Sequence, residues 1–275
     1  MATKRKILYV CQQVSPYVGE TPRAVAIQNL LQAMHERGNE IRTFMPRYGT
    51  INERRNQLHE VIRLSGMNLI IDDTDHQLII KVASIPTIRL QIYFIDNDDY
   101  FARKAILSDE SGAEFADNDE RAIFFARGVL ETVKKLRWEP SVVEVHGWFA
   151  GFAAAYLRHT FADDPIFANV KIVVALDDDT FEGELDSAIR SKLEGEGING
   201  DMVKVMDTPT YENFCRFVIS YADGVVISND KVDKSIVEIA RNSGKPLLEY
   251  QPYDVENAAE VAEYYDNYDK FYERI

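Results

Sequence analysis

Residues 92–125 read IYFIDNDDYFARKAILSDESGAEFADNDERAIFF. The apolar run 92–95, closed by Asp96, reads as a buried strand. DNDDYF (96–101) reads as a turn carrying two aromatics. DNDE (117–120) has the composition of a helix N-terminus, with Ile123, Phe124 and Phe125 on one side of the helix that follows. Working outward, the same alternation recurs. Residues 6–11, 40–44, 142–145, 170–176, 224–227 and 246–249 read as strands. Residues 22–37, 121–136, 148–158, 211–221, 231–241 and 255–268 read as helices, and Gly38 closes the first of them. This βα rhythm specifies a mostly parallel, Rossmann-like sheet with flanking helices. Residues 58–71, 77–84 and 87–95 are β-rich between turn residues, so an antiparallel excursion is expected there. Glycines and charges make 182–207 irregular. The expected organisation is one α/β domain over 1–275, ending in an acidic, tyrosine-rich helix at about 253–275. That helix either docks a partner or packs back on its own domain.

With 275 residues, 46% of them hydrophobic, the chain is large enough for a full core. Its net charge of −14 argues against a nucleic-acid surface and against anionic membrane. An anionic ligand would need a local positive pocket against that field. No apolar run is long enough to span a bilayer. The opening MATKRKILYV reads as the lead into a first strand and not as a signal peptide. Two cysteines far apart, Cys11 and Cys215, suit a reducing, cytoplasmic setting better than a disulfide framework.

Open parallel sheets bind ligands at the carboxyl ends of their strands, where strand order reverses. Residues 12–23 (QQVSPYVGETPR) form the first such loop, and only Gly19 permits close backbone approach. The helix start behind it offers free N–H groups to a phosphate. The same residues also describe a plain cap, with Thr21 at N-cap and Pro22 at N1. In PRYG, Arg47 could hold an anion or a glycan hydroxyl, or lie on the surface against Tyr48. In VVEVHGW (142–148), His146 could donate to a sugar hydroxyl while Trp148 stacks on a pyranose; alternatively Trp148 is a core anchor and His146 is satisfied by backbone. The three carboxylates of DDDTFEG, beginning at Asp177, could bind a divalent cation or be a solvated loop.

Taken in order, these segments resemble the bacterial glycogen and starch synthases. Residues 117–125 are similar to that family's D-N-x-x-R-F-x-F-F helix. Cys11, Val14, Pro16 and Val18 follow its C-S-E-x-x-P segment, and PRYG its P-x-Y-G. VVEVHGW resembles V-V-H-A-H-D-W-H, DDDTFEG resembles I-H-N-x-x-Y-Q-G, and Tyr221-Ala222-Asp223 follows a Y-A-D turn. The resemblance implies the N-terminal half of a two-domain, B-type glycosyltransferase that transfers glucose from ADP-glucose to an α-1,4-glucan end. No cofactor and no metal are implied. By motif position, the substrate-binding candidates are Gly19, Glu20, Thr21, Arg47, Tyr48, His146, Trp148 and Asp177.

This sequence departs from the pattern at the chemical positions. The family's phosphate-contacting Lys-Thr-Gly-Gly falls on Gly19, Glu20, Thr21 and Pro22, so an ammonium is lost and a carboxylate gained. Glu144 and Asp177 stand where the family has histidines, and Gly147 where it has aspartate. The expectation is a synthase-like protein of α-1,4-glucan metabolism, catalytically impaired alone because a second domain and key residues are missing. The alternative is a non-catalytic glucan-binding or regulatory protein. The partners to expect are an α-glucan or nucleotide sugar, and a separate second domain or other protein.

Overall fold

Strand β1 (Lys6–Cys11) is buried at every position after its first residue, as a strand covered on both faces must be. The computed structural model describes residues 4–275; the first three residues of the opening segment lie outside them. Thr21 accepts from the Ala24 N–H and Pro22 takes N1, so α1 (Pro22–Glu36) starts on the expected cap. Gly38, at φ +88°, lets the chain leave α1 and enter β2 (Glu40–Pro46).

β1 pairs in parallel with β2 on one side and with β7 (Val142–His146) on the other, placing Cys11 level with His146. Strand order therefore reverses at β1. From β7 the parallel sheet continues through β8 (Lys171–Leu176) and β9 (Gly224–Ile227) to β10 (Leu247–Leu248). From β2 it reaches β6 (Leu90–Asp96). The excursion lies beyond β6, where β5 (Thr74–Ile85) runs antiparallel and carries β3 (His59–Glu60) and β4 (Met67–Ile71).

The stretch 92–125 differs from its reading in three details. Residues expected as a turn form a short helix α2 (Asp98–Phe101), because the Asn97 side chain accepts from the Tyr100 N–H at 3.1 Å. Asp117 makes no side-chain cap on α3 (Asn118–Leu136); its carboxylate turns to Arg103 at 2.6 Å. Ile123, Phe124 and Phe125 do not share one side. Successive helical residues turn by about 100°, and all three are fully buried because α3 is enclosed nearly all round. On one flank Gly128 lies against Ile95 and Leu78; on another Phe125 meets Phe149 of α4 (Trp148–Arg158) at 6.0 Å.

Further along, the segment expected as irregular holds helix α5 (Ile189–Gly195) and a 3-10 turn at Asp201–Asp207. α6 (Tyr211–Ser220) is capped by Thr210, and α7 (Lys234–Arg241) starts later than expected, behind an Asp233 cap. The terminal helix α8 (Ala258–Arg274) lies within the expected 253–275, starting later than 255 and running past 268, and it packs back on the domain, burying Tyr265, Tyr268, Phe271 and Tyr272.

Candidate functional site: the crevice at the carboxyl ends of β1, β7 and β8

Beyond the carboxyl ends of β1 and β7, where strand order reverses, lies a crevice that His146 reaches, and β8 is followed there by Asp177, Asp178 and Asp179. His146 ends β7 and is buried. Its Nε2 lies 2.8 Å from Glu144 Oε1, a charge contact without hydrogen-bond alignment, and its Nδ1 lies 3.9 Å from Asp177 Oδ2. Burial alone would lower the imidazole pKa; the carboxylates of Glu144, Asp177 and Asp179 outweigh it and raise the net value. The imidazolium is thereby favoured.

Glu144, fully buried among the valines of β7, is the hub beneath His146. It accepts from the hydroxyls of Tyr268 and Tyr272, and Tyr272 meets the Tyr9 hydroxyl at 3.0 Å. A buried carboxylate needs such partners to offset its desolvation. Sequence reasoning treated Glu144 only as a lost histidine. A charged residue inside VVEVH, together with tyrosines at the helical spacing 264, 268, 272, was the available signal.

The three carboxylates after β8 diverge. Asp177 faces His146; Asp178 pairs with Arg23 at 3.1 Å; Asp179 accepts from the Trp148 N–H at 2.8 Å. Burial pushes the Asp177 and Asp179 pKa values up, and at Asp179 the nearby Asp177 charge adds to it. They do not converge as cation ligands would. Among the described residues, carboxylates do converge at Asp119, Glu120 and Asp186, but the Lys192 ammonium sits among them at 2.9, 2.7 and 3.0 Å.

The start of α4 is already occupied. Asp179 takes the Trp148 N–H and Gln12 Oε1 the Phe149 N–H at 3.3 Å. A side chain on Gly147, at φ +80°, would stand 2.9 Å from both acceptors, so only glycine fits between them. An anion seeking the helix N-terminus would have to displace an internal carboxylate.

The remaining candidates divide by location. Trp148 is 3% exposed and packs edge-on against Phe149, Phe181 and Phe214, leaving no open indole face; the packing is that of the core-anchor alternative. Tyr48 is wholly buried against Phe101, beneath the crevice. Arg47 pairs with Glu53 and with Asp96 at 3.3 Å, rather than lying free on the surface. Thr21 caps α1. Gly19 and Glu20 are exposed and line an open groove of about 1040 Å³, with Thr50, Asn52, Asn56 and Gln57 opposite. His146 and Asp177 thus share one site, while Gly19 and Glu20 edge another. Arg23, Gln12 and Asp179 are the site residues that motif comparison did not bring forward.

Comparison with known proteins agrees with this architecture. A family model described as the starch synthase catalytic domain matches residues 6–245. The glycogen synthase of Chlorobium limicola is 36% identical over 203 residues, covering 74% of this chain and 42% of that protein. The glycogen synthase of Chlorobaculum tepidum is 32% identical over 243 residues, covering 85% and 47% respectively. The chain therefore spans less than half the length of these curated relatives. The catalytic domain of starch synthase IV from Arabidopsis thaliana, solved bound to ADP and acarbose, superposes with a TM-score of 0.70 at 14% identity, covering 90% of this chain and 51% of that one. At that identity the likeness speaks for the fold. With the family model matched across both halves of the sheet, the chain belongs to the starch synthase catalytic-domain family, alongside bacterial glycogen synthases.

Proposed function

We propose that this chain serves α-1,4-glucan metabolism as a synthase-like domain that holds glucan and does not, by itself, transfer glucose from ADP-glucose. The observation that carries the reading is electrostatic: the phosphate-binding end of the crevice is filled from within. Arg23 is paired with Asp178, and the α4 N-terminus is capped by Asp179. Exposed Glu20 stands where a cation would be needed. A diphosphate approaching this set meets carboxylates first. The groove beside Gly19 is lined by the hydroxyls and amides of Thr50, Asn52, Asn56, Gln57 and Ser84 together with Arg55 and His59, hydrogen-bonding groups suited to sugar hydroxyls. The solved relative's acarbose and ADP make both ligand classes reasonable to test. Both cysteines are free and buried, in keeping with a reducing, cytoplasmic setting.

A second reading is transfer in partnership with another domain. Isothermal titration with maltoheptaose and with ADP-glucose, alongside a labelled-glucose transfer assay, tests the first reading. The expected result is binding of the glucan, no binding of ADP-glucose and no transfer. Tight ADP-glucose binding with transfer by this chain alone would overturn the proposal.

A further inference from the structure

The open groove beside Gly19 has two walls, residues 16–20 after β1 and residues 50–59 between β2 and β3. Residues 52–57 of the second wall form no helix or strand. Bonds within the loop set its shape: the Arg55 N–H donates to Asn52 Oδ1 at 2.9 Å, and the Asn56 N–H to the Asn52 carbonyl at 3.0 Å. Gln57 closes it at φ +54°, in the left-handed region that a residue other than glycine enters at a cost. Such a conformation persists only where the surroundings hold it. Among the described residues, Glu53 is the one side chain of 52–57 that bonds or ion-pairs beyond the loop.

The Glu53 carboxylate enters a seat built on the sheet. Lys81 of β5 lies 2.7 Å from Glu53 Oε1 and 2.8 Å from Asp96 Oδ2. Arg47, whose N–H donates to the Ile95 carbonyl at 2.9 Å, pairs with the same two carboxylates. Two cations thus meet two carboxylates, and the sum is neutral. The carboxylates differ in freedom. Asp96 ends β6 with its side chain 2% exposed, while the Glu53 side chain is 35% exposed and rides on the loop. Burial would raise the Glu53 pKa, but hydrogen bonding to Lys81 and the Arg47 charge outweigh it and lower the net value, so Glu53 is ionised at neutral pH.

Without Glu53 the seat holds two cations against one carboxylate, a net positive charge kept largely from water. That imbalance draws Glu53 back whenever the loop opens. The opening itself leaves the sheet intact, because Asp96 still pairs with both cations.

We propose that Glu53 is a latch that sets the width of the groove, holding Asn52, Arg55, Asn56 and Gln57 at a fixed distance from residues 16–20. Glu53 does not line the groove; it is a positioning residue that acts through the loop. The latch rests on the glucan reading only for what the groove holds. With the latch closed the wall is ordered before a ligand arrives. With it open a ligand must order the wall itself, and binds more weakly.

Trypsin reads the latch in the whole chain without any ligand, since Arg54 and Arg55 are exposed beside Glu53. Glu53→Ala should raise cleavage after Arg54 and Arg55 about tenfold, and Glu53→Gln, which keeps an acceptor without the charge, by less. Lys81→Met removes the partner on the sheet and should match Glu53→Ala. Cleavage should stay insensitive to low urea, which marks local opening and not global unfolding. Glu60→Ala removes the same charge from exposed β3 beside the loop and should change nothing. In calorimetric titration Glu53→Ala should weaken maltoheptaose binding about tenfold, and maltoheptaose should protect the parent at Arg54 and Arg55. Parental cleavage rates in Glu53→Ala and Lys81→Met, equal acceleration by Glu60→Ala, or acceleration that climbs steeply with urea would overturn the latch. Faster cleavage with undiminished maltoheptaose affinity would overturn its role in the groove. A parent chain that fails to bind maltoheptaose would remove the glucan reading alone, and the cleavage rates would still decide the latch.

Discussion

The surroundings of Arg121, within residues 92–125, and the crevice after β7 sit in one fold and treat polar groups in opposite ways. In the first region, buried Arg121 donates to the Tyr100 carbonyl at 2.8 Å, to Asn118 Oδ1 at 2.6 Å and to the Ile106 carbonyl at 2.9 Å. Phe101, Phe115 and Phe149 surround its guanidinium. Burial lowers its pKa to about 10, which still leaves it charged at neutral pH. In the second region, His146, Asp177 and Ser228 keep polar atoms without partners, and two carboxylates are held above their ordinary pKa. A site whose hydrogen bonds are complete can only hold the chain together. One with unmet capacity in a crevice can hold something else.

The largest effect should come from the satisfied region. Arg121→Met leaves two carbonyls and an amide oxygen unpaired among aromatics, and should cost about 3–5 kcal/mol in urea unfolding. A loss below 1 kcal/mol would erase the distinction between the two regions. Glu144→Gln comes next, because Glu144 joins the regions' shared sheet to α8 through two tyrosine hydroxyls. The amide keeps one acceptor and loses the charge that faces His146, so a cost of about 2 kcal/mol is expected. Because α8 is the element released, limited proteolysis should cut first within 249–257, and faster than in the parent. Unchanged proteolysis would show that α8 is held by its other contacts, such as Arg5 to Asp269 at 2.7 Å.

How far the sequence anticipates each region follows from the same contrast. The sheet, its antiparallel excursion and most helices are legible, because apolar period and caps are local properties. Thr21 and Pro22 open α1 where the sequence puts them. The short helix at Asp98 escapes notice because its cap, Asn97, sits inside a run of acidic residues. Within the site, His146 and Asp177 are legible as chain-end positions on parallel strands, and the structure brings them together. The roles of Gln12 and Asp179 are not, since capping α4 needs two loops 167 residues apart to meet at Gly147. Neither is the tyrosine wall beside His146, for Tyr250 and Tyr268 acquire meaning only once α8 folds back. Long-range juxtaposition is the part that local pattern cannot carry.

The smallest effect sharpens the comparison from the crevice side. Burial and the Asp177 charge raise the Asp179 pKa from 3.8 to about 6. A carboxyl with a raised folded-state pKa binds protons more readily folded than unfolded. Its contribution to stability therefore grows as pH falls from about 6 toward 4, and its ionised form is a cost at pH 7. Asp179→Asn keeps an acceptor for the Trp148 N–H and removes that charge. It should stabilise the protein at pH 7 by about 1 kcal/mol, less than the full shift implies because relief is shared with Asp177. The gain should vanish by pH 4. Urea midpoints of parent and variant at pH 7, 6, 5 and 4 check this directly, since converging curves are required. Parallel curves, or a variant less stable at pH 7, would mean that the carboxylate's hold on the α4 N-terminus outweighs its burial, and the crevice would then be as well satisfied as the scaffold beside it.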